Sequence, residues 1–351
     1  MKTDEMTSRE RVLTAVRNGK PDRVPVVPVY IAGAVRRAGF KYSECLFDAD
    51  KYVAAVAKCY ADFGFDGIFD CGLPAFIAEA AGAALRVLED DLPVPGEPVL
   101  RTYDDIDRLV PRSVLSNGRV PHVLSVISKM RKALGPTVAI VAVGAIPYRV
   151  ADCFRGTQAF YKDLIRNPEF VRKILDFAVQ PCIEYAEAAI EAGADMLFVP
   201  DALSSRMSMS RRHYVELNYP YTRKVFDALN QRGIAFWFHP CGDCSDRLDL
   251  ATDGPTGLLL PAEADIATVK AEYGRKVSLG GNVRSVDTML LGAPEDVRRE
   301  SRGCLEHGAQ DGGFILSADC TVPVATPEDN LHALVAAARE FGDYRSHSEA
   351  G

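Results

Sequence analysis

The sequence predicts an α/β protein folded as a single (β/α)₈ TIM barrel, with an N-terminal helical extension and an insertion between strands 2 and 3. The length of 351 residues suits one such barrel. Eight apolar, β-rich runs occur along the chain, and a helical pattern follows each of them. The runs are continuously apolar, which is typical of parallel strands covered by helices. We expect residues 1–344 to form the barrel and residues 345–351 to be a disordered tail.

The predicted strands end in polar residues, glycine or proline, as strands that lead into helices do. In chain order they are residues 23–32, 65–72, 137–147, 194–202, 234–242, 256–264, 276–283 and 313–320. Residues 72–136 are too long for an ordinary connection, and their prolines and acidic residues predict an edge hairpin or a lid. Eight strand and helix units imply a closed barrel.

The helices have recognisable start signals. Thr7 and Glu10 have the spacing of a capping box before an apolar stripe, which predicts a helix that covers the bottom of the barrel. Comparable signals at residues 167–168, 210 and 326–329 predict the starts of three later helices.

Composition excludes several classes of partner. The net charge is -7 and the basic residues are scattered, which argues against nucleic acid. No apolar run is long enough to span a membrane, and the opening MKTDEMTSRERV is unlike a signal peptide. We therefore expect a cytoplasmic protein that binds a small molecule, with an oligomer compatible with the sequence. Most of the nine cysteines are expected to be buried apolar residues.

The stretch HPCGDCSD at the end of predicted strand five is the strongest chemical signal. His239 and Cys241 are two residues apart and so point to one face of the strand, and Cys320 ends strand eight. All three would lie at the C-terminal rim of a barrel. One nitrogen and two sulfurs favour Zn²⁺, and three ligands leave a fourth position open for catalysis. Spacing alone leaves ordinary buried cysteines as the alternative.

The opening MTSRERVLTAVRNGKPDRVPVVP resembles the start of proteins in the uroporphyrinogen decarboxylase superfamily, which are (β/α)₈ barrels. FWFHPCGD, LGGNV and FILSADCTVPVATPEDNLHALV resemble motifs of its zinc-dependent methyltransferase branch. The resemblance implies zinc on His239, Cys241 and Cys320. It also implies methyl transfer between a corrinoid protein and a thiol or another small acceptor. This chain lacks a D-x-H-x-x-G corrinoid motif, so methylcobalamin or another corrinoid would be supplied by a separate protein.

Other polar residues at predicted strand ends are candidates for the pocket. We assign Asp201 and Asn282 to catalysis and Asp70, Tyr148 and Glu263 to substrate binding, with Glu263 also a candidate fourth zinc ligand. Loop capping is the alternative for Asp201. The sequence departs from the branch at Pro261 and Arg284, where the family often carries acidic residues, so the substrate stays open.

Two other functions remain. A porphyrinogen decarboxylase would need several fixed cations for its polycarboxylate substrate, and only Arg36 and Arg37 stand near its missing MRQAGRY motif. A non-catalytic barrel stabilised by structural zinc is the second alternative. The methyl donor, the acceptor and the direction of transfer are not determined by the sequence.

Overall fold

Seven parallel strands form one curled sheet in the computed structural model, which describes residues 4–88 and 92–344. The predicted tail, residues 345–351, lies outside the described residues. The strands are β1 (Gly67–Phe69), β2 (Leu85–Arg86), β3 (Val94–Pro95), β4 (Ala139–Val143), β5 (Met196–Asp201), β6 (Phe236–Pro240), β7 (Gly257–Leu259), β8 (Ser278–Gly280) and β9 (Phe314–Ile315). The main sheet has the order β1-β4-β5-β6-β7-β8-β9, and β2 and β3 form a separate antiparallel pair.

Helices connect successive strands of this sheet. The α-helices are α1 (Ser8–Val16), α2 (Ala32–Arg37), α3 (Tyr42–Cys45), α4 (Ala49–Phe63), α5 (Pro74–Ala81), α6 (Val120–Leu134), α7 (Pro147–Arg155), α8 (Thr157–Arg166), α9 (Pro168–Glu191), α10 (Arg211–His213), α11 (Tyr219–Gln231), α12 (Leu248–Ala251), α13 (Ile266–Tyr273), α14 (Pro294–Gly308) and α15 (Glu328–Phe341). Short 3₁₀ segments are Tyr103–Arg108, Val114–Ser116 and Ser245–Arg247, and π-helical turns are Tyr214–Asn218 and Ser285–Leu290. No helix within the described ranges is long and apolar enough to cross a membrane.

The first predicted strand, residues 23–32, is not a regular strand. It makes one parallel bridge, between Val26 and Leu316, and the Asp66 N–H donates to the Val26 carbonyl at 2.8 Å. Pro25 and Pro28 lack the N–H donors that a continuous ladder needs, which explains the interruption. The segment nevertheless hydrogen-bonds to Asp66, which precedes β1, and to Leu316, which follows β9. β1 and β9 are the two edge strands of the sheet.

Between β1 and β4 the chain forms α5, the β2–β3 pair, the two 3₁₀ segments Tyr103–Arg108 and Val114–Ser116, and α6. In the β2–β3 pair, Leu85 lies opposite Pro95 and Arg86 opposite Val94. Residues 89–91, in the connection between these strands, lie outside the described residues. This excursion leaves the C-terminal end of β1. Cys241 and Cys320 also follow the C-terminal ends of their strands, so they lie at the same end of the parallel sheet.

The single tryptophan explains two glycines in the sheet. Trp237, on β6, is fully buried. A Cβ on Gly257 of β7 would lie 2.4 Å from Trp237 Cδ1, and one on Gly280 of β8 would lie 2.5 Å from Trp237 Cζ2. The indole therefore occupies space that only glycine leaves free on the two following strands.

The helix α1 begins with the predicted capping box. The Glu10 N–H donates to Thr7 Oγ1 at 3.2 Å, and the Thr7 N–H donates to Glu10 Oε2 at 2.8 Å. We expect Thr7→Ala to lower the free energy of unfolding by about 1 kcal/mol, because it leaves a helix N–H without its acceptor. Urea denaturation measures this loss. Ser8→Ala removes a neighbouring hydroxyl that does not cap the helix, and an equal loss in that control would contradict the capping role.

Candidate metal centre

The three donor residues predicted from HPCGDCSD and Cys320 come together at one end of the sheet. His239 lies on β6, Cys241 follows β6 directly, and Cys320 follows β9. One ligand atom from each residue lies within 4.8 Å of the others. The Cys241 N–H donates to the Asp201 carbonyl at 2.9 Å, which continues the pairing of β6 with β5 for one residue. Their position at the C-terminal ends of parallel strands is the location the sequence predicts.

The imidazole of His239 is held in one orientation. Its Nδ1 lies 3.0 Å from the Leu259 carbonyl oxygen, and its ring stacks on Phe198 with centroids 5.7 Å apart. A carbonyl can only accept, so Nδ1 carries the proton and Nε2 presents its lone pair. Nε2 is buried and has no hydrogen-bond partner among the described residues. A metal ligand held by a second hydrogen bond has this arrangement.

The two thiols act electrostatically as a pair. A hydrogen bond from the Cys241 thiol lowers the pKa of Cys320, and the nearby His239 lowers it further. The same hydrogen bond, with burial, raises the pKa of Cys241. The two shifts have opposite directions, so Cys320 is the thiol favoured to lose its proton and Cys241 the one favoured to keep it.

The donor set fits a zinc ion. Zinc takes histidine nitrogen and cysteine sulfur at about 2.0–2.3 Å, so small side-chain rotations would bring all three donors onto one ion. The free Nε2 lone pair and the two half-buried sulfurs supply three ligands. Cys244, only three residues beyond Cys241, is buried and does not belong to this cluster. A turn at Gly242, whose φ is 73°, leads the chain away from the cluster before Cys244.

Asp201 lies at the end of β5 and is almost fully buried. Its carboxylate accepts hydrogen bonds from the Ser204 hydroxyl, from Asn218 Nδ2 at 3.1 Å and from the Leu203 N–H at 3.3 Å. Burial raises its pKa, against the lowering effect of these bonds. The carboxylate thus holds the loop after β5, which is the capping alternative considered for it from the sequence.

Tyr148 lies near Asp201 on α7, the helix that follows β4. Its ring meets Phe160 edge-on, with centroids 4.9 Å apart, and its hydroxyl is buried with no hydrogen-bond partner in the described part of the chain. Burial raises its pKa, and negative charge on Tyr161 or Asp201 would raise it further. A protonated hydroxyl without an acceptor is available to donate to a bound molecule.

Asn282 and Glu263 lie together beside β7 and β8. Asn282 Nδ2 donates to the carbonyls of Pro261 at 2.8 Å and Ala264 at 2.9 Å, which fixes the loop that carries Glu263. Glu263 is exposed and lines a groove of about 480 Å³ with Asn282 and Arg284. It is not part of the His239, Cys241 and Cys320 cluster.

Asp70 is fully buried after β1. Its Oδ1 accepts from the N–H groups of Gly72 at 2.9 Å and Val143 at 3.1 Å, and its Oδ2 accepts from the Tyr185 hydroxyl at 3.2 Å. Burial raises the pKa of Asp70 to about 7 despite these bonds. The carboxyl group therefore joins β1, β4 and α9 inside the protein.

The raised pKa of Asp70 predicts a pH dependence of stability. Between its unfolded pKa of about 3.9 and the folded value, the native state holds a proton that the unfolded state releases. The contribution of Asp70 to the free energy of unfolding is thus fully present at low pH and is lost as the pH rises toward 7. We expect the free energy of unfolding of Asp70→Asn, relative to wild type, to rise by about 1–2 kcal/mol between about pH 5 and pH 7. Urea denaturation at several pH values measures it.

The exposed Asp104→Asn serves as the control, and its difference from wild type should stay constant over the same range. A constant difference for Asp70→Asn as well would contradict the raised pKa. Asparagine can accept both backbone hydrogen bonds through its carbonyl oxygen, so the comparison isolates the charge.

The sequence did not single out two buried or half-buried charged residues that lie close in the chain to the donors of the cluster. Asp319 precedes Cys320 and accepts from the Ser285 N–H at 2.8 Å, while burial raises its pKa. Arg247, six residues beyond Cys241, is a buried cation that reaches the loop after β5. Arg247 directly follows the HPCGDCSD stretch, so its position in this loop could be read from the sequence. Its burial could not.

Comparisons with known proteins agree with the resemblance seen in the sequence. A family model described as uroporphyrinogen decarboxylase (URO-D) matches residues 7–341. The methylcobamide:CoM methyltransferase MtbA of Methanosarcina acetivorans is 26% identical over 347 residues, covering 96% of this chain and 99% of that protein. MtaA of Methanosarcina barkeri, of the same description, is 28% identical over 347 residues, with the same coverage of both chains.

A solved structure and a decarboxylase complete the comparison. The structure of a methyltransferase from Methanosarcina mazei superposes with a TM-score of 0.88 at 27% identity, covering 96% of this chain and 99% of that one. The uroporphyrinogen decarboxylase of Syntrophotalea carbinolica is 28% identical over 247 residues, covering 68% of this chain and 70% of that protein. The uroporphyrinogen decarboxylase of Geobacter metallireducens is 25% identical over 349 residues, covering 90% of this chain and 94% of that protein. The proteins described as methyltransferases cover more of this chain, 96%.

Proposed function

The chain belongs to the uroporphyrinogen decarboxylase family, and we propose that within this family it is a zinc-dependent methyltransferase that uses a corrinoid protein. It would move a methyl group between that protein and a thiol or another small acceptor. The observation that carries the proposal is the convergence of His239, Cys241 and Cys320 within 4.8 Å. The full-length methyltransferase relatives support this activity over porphyrinogen decarboxylation.

The proposed chemistry needs a thiolate, because a thiol is a poor nucleophile. Zinc bound by the three residues would favour the deprotonated form of a substrate thiol at its remaining position. The hydrogen bond to the Leu259 carbonyl keeps the His239 lone pair directed at the site. The half-buried sulfurs leave the centre accessible from solvent at the C-terminal ends of the strands. A methyl donor would approach from this side, in line with the acceptor sulfur.

We assign the other polar residues by their contacts. Tyr148 is the preferred substrate contact, because its buried hydroxyl lacks an acceptor. Asp201, Asn282 and Asp70 would support the proposed site by fixing strand-end loops, since their polar atoms are engaged within the protein. Glu263 stays a predicted substrate-binding residue and fourth ligand, which would require its loop to move toward the cluster.

We also propose that residues 25–27 close the sheet into an eight-stranded barrel, with α1 as its N-terminal extension and the excursion between β1 and β4 as its insertion. The bridge between Val26 and Leu316 and the bond from Asp66 to Val26 support closure. Closure would gather all strand C-terminal ends around one mouth. A cytoplasmic location stays a prediction.

Metal analysis and a transfer assay test the proposed function. Protein purified without chelator is expected to contain about one zinc per chain, as a three-ligand catalytic site requires. With free methylcobalamin as donor and a panel of thiols as acceptors, methyl thioether should form and the methylcobalamin spectrum should disappear. Removal of zinc should abolish both changes, and added zinc should restore them.

The alternatives give different outcomes in the same experiment. A zinc-free protein that decarboxylates a porphyrinogen would contradict the proposal in favour of the decarboxylase. Protein that holds zinc but transfers no methyl group, with free methylcobalamin or a corrinoid protein and in either direction, would support the non-catalytic barrel. Mercaptoethanesulfonate, homocysteine and mercaptoethanol in the panel distinguish acceptors by charge and size.

A further inference from the structure

Arg247 is a buried cation in the loop that begins at Cys241. Its side chain is 1% exposed, and its guanidinium carbon lies 4.7 Å from the centroid of the Tyr214 ring. Nε and Nη2 donate to the two carboxylate oxygens of Asp246 at 2.8 and 2.9 Å. Nη1 also donates to the Ser204 carbonyl at 2.9 Å, and Nη2 to the Met209 carbonyl at 2.7 Å. Four hydrogen bonds around a buried guanidinium indicate a specific role in connecting segments.

The segments that Arg247 connects are the loops after β5 and β6. Ser204 and Met209 flank the exposed part of the first loop, and Cys241 begins the second. The Arg206 N–H also donates to the Asp243 carbonyl at 2.8 Å, so the loops meet at more than one point. The first loop is fixed in turn by the bond from the Ser204 hydroxyl to Asp201. Arg247 therefore closes a ring of contacts that includes Cys241.

Cys241 needs such support more than His239 does. His239 lies within β6 and is hydrogen-bonded to Leu259, whereas Cys241 lies just past the strand and is followed by Gly242 in a left-handed conformation. The Cys241 N–H is held by the Asp201 carbonyl, but the chain on the other side of Cys241 is irregular until the 3₁₀ segment Ser245–Arg247. Metal ligands require positions accurate to about 0.2 Å, so movement of this loop would be felt at the sulfur.

We propose that Arg247 is a positioning residue that holds the Cys241 sulfur in place for metal binding, by locking the loop after β6 to the loop after β5. This inference rests on the metal centre of the proposed function. Lysine cannot replace the arginine, because its single ammonium group cannot reach both carbonyls and both Asp246 oxygens in the same geometry. Metal binding should therefore be weaker in Arg247→Lys, although this variant keeps the positive charge.

Cobalt binding tests the role of Arg247 separately from methyl transfer. Metal-free wild type, Arg247→Lys and Arg211→Lys are titrated with Co²⁺ in competition with a chelator, and the thiolate-to-cobalt charge-transfer band is recorded. Arg211 joins the same two regions through Asp246 and Asp249 but is 44% exposed, which makes it a matched control. We expect Arg247→Lys to weaken cobalt binding about 10- to 100-fold, as loss of outer-shell support does, and Arg211→Lys to stay within about twofold.

The charge-transfer band separates positioning from general stability. Folded Arg247→Lys saturated with cobalt should show a shifted or weakened band, which a purely structural role would leave unchanged. Asp246→Ala, at a side chain 31% exposed, removes both carboxylate acceptors of Arg247 and should weaken binding several-fold. Wild-type affinity and spectrum in folded Arg247→Lys or in Asp246→Ala would overturn the inference. Absence of cobalt binding in the wild type would overturn the metal centre as well.

Discussion

Cys241→Ala and Cys320→Ala are each expected to lose metal and methyl transfer while keeping the fold. Each substitution removes one of three ligands, and the two that remain cannot hold zinc at ordinary concentrations. Metal affinity should fall by more than about 100-fold, since loss of an outer-shell partner alone costs about 10- to 100-fold. Equilibrium dialysis measures zinc, and the transfer assay measures activity. Circular dichroism verifies the fold.

Cys244→Ala is the matched control for these variants. Cys244 lies in the same loop as Cys241 and is buried, but its sulfur is not in the cluster. We expect it to keep zinc and activity near wild-type values. Equal loss in Cys244→Ala would point to a damaged loop, and full zinc content in Cys241→Ala would contradict the assignment of the ligands.

Trp237→Ala is expected to give the largest loss of stability among single substitutions in the sheet. The indole is fully buried on β6 and lies against Gly257 and Gly280, so its removal leaves a cavity that rigid strands cannot fill. The free energy of unfolding should fall by about 3–5 kcal/mol. Because the chain has one tryptophan, the transition is followed by circular dichroism instead of fluorescence. Phe47→Ala, at a site 75% exposed, should cost little.

A second substitution tests the packing around Trp237 directly. Gly280→Ala places a methyl group into the indole and should cost about 1–3 kcal/mol by overpacking. In the Trp237→Ala background that methyl group has space, so its cost should largely disappear. Additive losses would contradict the close contact between the indole and β8.

The strands and the metal cluster were predictable from the sequence because both depend on local pattern. Seven of the predicted runs contain the strands of the main sheet, since each is apolar and ends at polar or turn residues. His239 and Cys241 could be placed on one face because side chains alternate along a strand. The first predicted strand, residues 23–32, was harder to predict. Its apolar residues favour a strand, but its prolines interrupt the ladder of hydrogen bonds.

The polar residues around the cluster were less predictable because their roles depend on contacts distant in sequence. Asn282 follows a strand, as the sequence indicates, but its amide bonds to carbonyls of the loop after β7. Asp70 likewise follows a strand, yet Val143 and Tyr185 enclose its carboxyl group. Position at a strand end could be derived from pattern, whereas the direction of the side chain required the packed structure.

The origin of the three donors in two separate parts of the chain has a consequence for how the protein matures. His239 and Cys241 are synthesised well before Cys320, which follows the last strand of the sheet. A growing polypeptide therefore offers only two of the three donors, and binding of the proposed ion by all three would have to wait until β9 has docked. Once captured, the ion would fasten the late strand to the middle of the sheet, and its concentration in the cell would raise the resistance of the finished protein to unfolding.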